Sequence, residues 1–354
     1  MTTTARAYLL KEFGKPLVAE DLELPDPDSH EALIEVEACG MCHTDLGYAQ
    51  GSVKPNHALP LALGHEVMGR VVSAGDAFKS LVGKQVVVPA VLPCLDCELC
   101  RAGRSNACTA QKMPGNDIHG GFATHMVVPA APLVALENVP AGLDVRALSV
   151  VADAVSTAYQ AILRARLKAG DIAYVIGAGG VGGFTAQIAH AMGAKVVTLD
   201  ISEERLQMSA EFGADAIINV AGQQERDVRK QASSLAKGWG IGSLNTKIFE
   251  CSGTAAGQMQ AYTLLGRAST LVFVGYTFEK VNVRLSNLMA FDATAMGTWG
   301  CPPEAYPPVL ALIFKGQVAV EPFVDYAPMS TLNEQLEAMA AHKLTKRMVL
   351  DPRN

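Results

Sequence analysis

The stretch that decides the fold is Ile172-Ala173-Tyr174-Val175-Ile176-Gly177-Ala178-Gly179-Gly180-Val181-Gly182. Five apolar residues with no polar interruption read as a strand buried on both faces, the pattern of a parallel sheet covered by helices. The glycines that follow have the spacing G-x-G-x-x-G. Gly177 permits a tight turn, Gly179 lets the backbone approach a phosphate, and Gly182 allows a helix to pack closely on the strand. Gly180 and Val181 fall at the helix N-terminus, whose free N–H groups and dipole favour an anion. Eighteen residues beyond Gly182 the next apolar run, Lys195–Leu199, is followed by Asp200. A carboxylate there accepts hydrogen bonds from an adenosine ribose and repels a 2′-phosphate, which favours NAD over NADP. Strand, loop, helix, strand and terminal acid agree, where the glycine spacing alone would be weak.

Working outward, the same alternation continues. Helical patterns at Ala152–Leu167 and Ser202–Phe212 and near Gln258–Leu265 separate short runs at Ala216–Val220, Lys247–Phe249 and Thr270–Val274. This predicts a doubly wound α/β domain over residues 151–298. Upstream, Leu33–Glu37, Val67–Val72, Gln85–Val88 and Phe122–Val128 read as short strands between turn clusters, a mainly β domain over 1–150. The tail from 299 to 354 carries a helix at Leu332–Ala341 and a strand at Arg347–Leu350. It is too short for a domain of its own and is expected to complete the first one.

At 354 residues the chain suits two domains. With 49% hydrophobic and 18% charged residues and a net charge of −6, it reads as globular, and nucleic acid or an anionic membrane is disfavoured as its main partner. The N-terminus offers no secretory pattern and no stretch long enough to span a bilayer, so the expected location is cytoplasmic. A reducing compartment turns attention from disulfides to metal for the eight cysteines.

Four of them, Cys94, Cys97, Cys100 and Cys108, form C-x2-C-x2-C-x7-C. Four thiolates on one tight loop can wrap a zinc ion and leave no open position, which predicts a structural site in a lobe near 94–108. Free thiols or an iron–sulfur cluster are the alternatives for such a set.

Two further segments carry reactive types: Cys39-Gly40-Met41-Cys42-His43-Thr44-Asp45 and Gly64-His65-Glu66, the latter continuing to Gly69 and Gly75 as G-H-E-x2-G-x5-G. Taken singly, His65 reads as a partly buried histidine and Cys42 as a core thiol. Together with the features above, these segments resemble the zinc-containing medium-chain alcohol dehydrogenases, and the resemblance covers essentially the whole chain. It implies a Rossmann-type nucleotide domain beside a GroES-like catalytic domain, with NAD and two zinc ions per subunit. It further implies that Cys42 and His65 bind a catalytic zinc, that Asp45 orients a ligand, and that Glu66 approaches the metal. Thr44 would hydrogen-bond the substrate oxygen, while His43 and Arg347 would contact the cofactor.

Two departures from the family stand out. Where many relatives have a third cysteine ligand, this chain offers Asp153, a harder donor of equal charge. The alternative is that Asp153 caps a helix and Glu66 or water completes the metal. Where relatives place a proton-relaying histidine, this chain has Gly47, so the relay from Thr44 must end elsewhere. Ala90 stands where relatives often have an aromatic that narrows the pocket, which implies a bulky or cyclic secondary alcohol. The overall resemblance puts a cyclic hydroxyacyl-CoA first, as in anaerobic degradation of aromatic compounds, and a free secondary alcohol or polyol second. A zinc-free enone or enoyl-CoA reductase and a non-catalytic NAD-binding protein are the rival classes. The family also implies a homotetramer, or failing that a dimer.

Overall fold

The computed structural model describes residues 2–353. Two compact units divide the chain, one of residues 1–156, 300–310 and 320–354, the other of 157–299 and 311–319. Residues 311–319 fall in the second unit. The reason is local: the Gln187 side chain exchanges two hydrogen bonds with the Ala319 backbone, at 3.1 and 2.7 Å.

The strands, in chain order, are β1 (Thr3–Leu10), β2 (Val18–Leu24), β3 (Glu31–Gly40), β4 (Leu61–Ala62), β5 (Glu66–Ala74), β6 (Gln85–Val88), β7 (His125–Pro129), β8 (Val134–Ala135), β9 (Ile172–Ile176), β10 (Lys195–Asp200), β11 (Ala216–Asn219), β12 (Thr246–Glu250), β13 (Thr270–Phe273), β14 (Thr294–Gly297), β15 (Val324–Pro328) and β16 (Arg347–Asp351). In the second unit six of these form a parallel sheet in the order β11-β10-β9-β12-β13-β14. The chain starts in the middle at β9, winds outward to β11, then crosses over to β12, so the strand order reverses beside β9. That reversal is where doubly wound sheets bind dinucleotides. All five residues of β9 are buried, as their uninterrupted apolar run requires. Helices Gly180–Ala191, Glu203–Glu211, Glu225–Gly238, Ala255–Thr263 and the short Ser286–Phe291 lie in the five connections.

The first unit is mainly β. A seven-stranded sheet runs β15-β16-β3-β5-β6-β8, with β7 also paired to β3, and a smaller sheet runs β2-β1-β4. The N-terminal hairpin β1–β2 is a feature the hydrophobic pattern does not reveal. The exposed pairs Arg6–Asp21 and Lys11–Glu20 lie across it. The core is built from the inward faces of β3, β5 and β6 (Ile34, Val36, Val67, Val71, Val86, Val88) with Leu63, Phe122 and Met126. Each such side chain contributes about 1.5–3 kcal/mol by leaving water.

Candidate metal and dinucleotide sites

Sheet register brings the reactive residues of the first unit together. Strands β3 and β5 are antiparallel with Gly40 opposite Glu66, and β16 is antiparallel to β3 with Val349 opposite Gly40. The end of β3, the start of β5 and the start of β16 therefore converge. Cys42 follows the first, His65 precedes the second, and Arg347 opens the third. Asp153 arrives from another direction, at the end of a 3-10 turn over Val145–Ala152. The Ala152 carbonyl fixes that approach by accepting from the Ala90 backbone at 3.1 Å and from the Tyr306 hydroxyl at 2.6 Å.

One ligand atom from each of Cys42, His65, Glu66 and Asp153 lies within 4.8 Å of the others. Asp153 Oδ2 is 3.6 Å from His65 Nε2 and 3.9 Å from Cys42 Sγ. Asp45, fully buried, organises the set. Its Oδ2 accepts from the Cys42 backbone N–H at 2.9 Å, and its Oδ1 accepts from Gly64 N–H at 3.1 Å and faces His65 Nδ1 at 3.2 Å. A proton held on Nδ1 leaves the Nε2 lone pair facing Cys42 and Asp153, the orientation a metal-ligating histidine needs. Burial works against a charge on His65, while the Asp45 and Asp153 carboxylates hold its pKa well above the ordinary value. Thr44 Oγ1 lies 3.7 Å from Cys42 Sγ, beside the same cluster.

Glu66 and Arg347 form a pair that the sequence does not reveal. Glu66 is fully buried, neither carboxylate oxygen has a hydrogen-bond partner, and Arg347 Nη2 lies 3.4 Å away. Arg347 is itself buried and donates to the Met41 carbonyl at 2.9 Å, so its guanidinium braces the loop ahead of Cys42. His43 is exposed and its ring stacks on that of His342, with centroids 6.5 Å apart. At Gly47 the backbone has room for a side chain, the nearest atom to a built Cβ being Ser52 Oγ at 3.5 Å. A Cβ is therefore tolerated at Gly47, and the relay histidine is missing by sequence.

The second cluster joins the four cysteines expected. Sulfur–sulfur distances are 3.4 Å (Cys94–Cys108), 3.5 Å (Cys97–Cys100), 3.7 Å (Cys97–Cys108) and 4.0 Å (Cys94–Cys100). Zinc bonded to sulfur at about 2.3 Å sets tetrahedral edges of about 3.8 Å, so the cage has the right size. Backbone donation from Cys100 lowers the Cys97 thiol to about 6, which readies one thiolate.

In the second unit the glycine loop has the form its sequence requires. Gly177 has φ +89°, and a Cβ there would sit 2.7 Å from Ser252 Cα. A Cβ on Gly182 would overlap the Gly177 carbonyl oxygen, while Gly179 faces open space. The helix beginning at Gly180 has Gly179 as its N-cap, and the Val181 carbonyl accepts from the Thr185 hydroxyl at 3.0 Å. Asp200 closes β10 with Oδ2 accepting from Ala178 N–H at 2.6 Å and Oδ1 from Ser202 N–H at 2.8 Å. Its carboxylate is thus tied to the loop, and each oxygen keeps a lone pair.

Comparison with known proteins agrees with this architecture. The alcohol dehydrogenase GroES-like domain matches residues 28–138, and the zinc-binding dehydrogenase domain matches residues 180–315. An alcohol dehydrogenase of Geobacillus stearothermophilus is 32% identical, with 98% of each chain covered. The L-galactonate-5-dehydrogenase of Escherichia coli is 29% identical, covering 93% of this chain and 94% of that one. The acetophenone reductase of Geotrichum candidum, solved in complex with NAD, superimposes with a TM-score of 0.85 at 25% identity, covering 98% of this chain and 97% of the other. The chain belongs to the zinc-binding alcohol dehydrogenase family and is an oxidoreductase that joins a GroES-like domain to a Rossmann-type parallel sheet. No helix among the described residues is long and apolar enough to cross a membrane.

Proposed function

We propose that the protein oxidises a bulky or cyclic secondary alcohol reversibly to its ketone, with NAD as hydride acceptor and a zinc ion held by Cys42, His65 and Asp153. The observation that carries this reading is the convergence of a thiol, an imidazole and a carboxylate beside the Thr44 hydroxyl. Thiolate, imidazole and carboxylate are zinc's ordinary protein ligands, and three of them leave a position for substrate. The fit is supported by Glu66, whose buried oxygens lack hydrogen-bond partners and lie beside the set. Bound zinc would supply Lewis acidity and NAD the redox chemistry. The protein's own groups do the rest. Asp45 fixes the His65 ring, Thr44 takes the proton leaving the substrate hydroxyl, and Gly47 leaves water to carry it onward.

Ala90, whose backbone N–H is tied to the Ala152 carbonyl beside Asp153, stands where relatives often have a pocket-narrowing aromatic, and that likeness favours a wide substrate over ethanol. The substrate proposed first is 6-hydroxycyclohex-1-ene-1-carbonyl-CoA, oxidised to its 6-oxo product in anaerobic aromatic degradation. This rests on the likeness of Thr4-Ala5-Arg6-Ala7-Tyr8, Asp153 and Gly47 to the dehydrogenase of that compound. The second reading, a free secondary alcohol or polyol, is favoured by the likeness to the L-galactonate dehydrogenase. Cys94, Cys97, Cys100 and Cys108 would hold the structural zinc. Asp200 favours NAD over NADP, and cofactor roles for His43 and Arg347 rest on the family likeness alone. A homotetramer or dimer is supported by the end strand β14 and by Leu285 and Met289, which are 69% and 77% exposed.

The test is a substrate panel followed by NADH absorbance, comparing the CoA ester, its free cyclic alcohol analogue, aliphatic secondary alcohols and polyols. Turnover of free alcohols with an inert CoA ester would remove the first substrate and leave the second. No turnover of any alcohol, with NADH bound and zinc present, would remove the dehydrogenase reading.

A further inference from the structure

Glu250 is the last residue of β12 and is fully buried, yet no role falls to it in either metal site or in the glycine loop. Its side-chain Oε1 accepts from Ser252 N–H at 2.8 Å, from the Ser252 hydroxyl at 2.5 Å and from Gly253 N–H at 3.2 Å. Its backbone carbonyl accepts from Val274 and Gly275 N–H, both at 2.9 Å. One residue therefore gathers the loop after β12 and the loop after β13. Oε2 has no hydrogen-bond partner and lies 3.0 Å from where a Gly275 Cβ would stand.

The two loops are also locked to each other and to the glycine loop. A Cβ on Gly275 would overlap the Gly253 nitrogen, and one on Gly253 would sit 2.9 Å from the Tyr276 carbonyl oxygen. Gly177 abuts Ser252, as described above. All three loops leave the carboxyl ends of parallel strands, the side on which such sheets bind ligands. Their order matters. Asp200 marks the adenosine half on the β10 side of β9, whereas the loops held by Glu250 lie on the β12–β13 side, where the redox half of a dinucleotide must extend.

We propose that Glu250 is a positioning residue for the redox half of the cofactor: it fixes residues 251–254 and 274–276 as one platform, so that affinity for the whole dinucleotide depends on it and affinity for the adenosine half does not. A buried carboxyl at this point is costly for stability alone, since an unpartnered buried oxygen is unfavourable and an apolar strand end would not carry one. Its three loop donors account for its presence. The proposal rests on the dinucleotide reading of the glycine loop.

The test uses the full chain with its metals in place and measures NADH by fluorescence and AMP by calorimetry, for wild type, Glu250→Ala and Glu250→Gln. Loss of three loop hydrogen bonds should weaken NADH binding about tenfold or more, with AMP within about twofold of wild type. Gln keeps the carbonyl that accepts those three bonds, so Glu250→Gln should hold NADH within about threefold of wild type. Equal weakening of NADH and AMP by Glu250→Ala, or unchanged NADH affinity, would overturn the proposal. If Glu250→Ala does not fold, Gly275→Ala drives the same loops apart with the carboxyl retained and should give the same split; an intact NADH affinity there also overturns it. A wild type that binds neither AMP nor NADH would instead sink the dinucleotide reading.

Discussion

Asp45→Asn is the sharpest test of how the reactive cluster is organised. The carboxylate serves three donors from a fully buried position: Cys42 N–H on one oxygen, Gly64 N–H and His65 Nδ1 on the other. An amide of the same shape can place its carbonyl on one side only. Either the new NH2 faces Cys42 N–H, or it faces both Gly64 N–H and His65 Nδ1, and in each case donors oppose donors. Losing one such charged hydrogen bond costs about 1.5–3 kcal/mol. In the first orientation the Cys42 backbone loses its acceptor; in the second the Nδ1 proton is no longer held and Nε2 is not reserved for metal, and losing such a supporting contact lowers metal affinity or activity about 10–100-fold. The assay is zinc per chain after dialysis against graded chelator, with NADH-linked turnover on the same samples. The four-cysteine cage shares no residue with this cluster and serves as the internal reference. The expected result is loss of one zinc at low chelator while the other stays, with activity following the first. Two zincs of unchanged affinity and full turnover would refute the orienting role of Asp45.

Asp153→Ala should lose one zinc and turnover while keeping the fold, whereas Asp153→Cys, which restores a soft anionic donor, should keep the zinc; retention of both metals in the alanine variant would assign the third position to Glu66 or water. Gly182→Ala should weaken NADH binding more than about tenfold, because its Cβ would strike the Gly177 carbonyl and deform the loop; titration of NADH fluorescence decides it. Asp144 accepts from Arg146 Nη2 at 2.7 Å, and that hydrogen bond holds its pKa below the ordinary carboxylate value. A depressed folded pKa stabilises above the unfolded value of about 3.9 and is lost as pH falls through the lower folded value. Arg146→Met should therefore be less stable at neutral pH by about 1 kcal/mol or less, as a part-exposed pair allows, with the difference closing in acid; a gap that persists below pH of about 2 would contradict the pairing.

The parallel sheet was legible because apolar runs alternate with helical patterns, and β9 matches its sequence limits residue for residue. β14 was not, since Thr294–Gly297 is short and only partly buried and carries no period. The hairpin β1–β2 escaped for a different reason: the polar residues of β2 are stitched to β1 by charge pairs, which a hydrophobic pattern cannot register. Phe122 and Ala123 read as strand but precede β7. Phe122 instead gives its carbonyl to Tyr8 N–H, a partner far away in sequence. At the cysteine cage spacing sufficed, because all four ligands lie on one short loop.

The reactive cluster could not be read that way, and the reason is geometric. Its residues become neighbours through the register of β3, β5 and β16, and register is a property of pairing that no single segment carries. Cys42 and His65 could be recognised together only by likeness to other chains. Arg347 has partners that the likeness does not give. It was expected to contact the cofactor, and the structure finds its guanidinium buried against Glu66 and the Met41 carbonyl. A phosphate contact would have to come from what those two partners leave free, so Arg347→Lys separates the roles. Lysine keeps one charge for Glu66 but cannot also brace the loop ahead of Cys42. Loss of zinc in that variant with NADH affinity retained would assign Arg347 to the metal side. The converse would assign it to the cofactor.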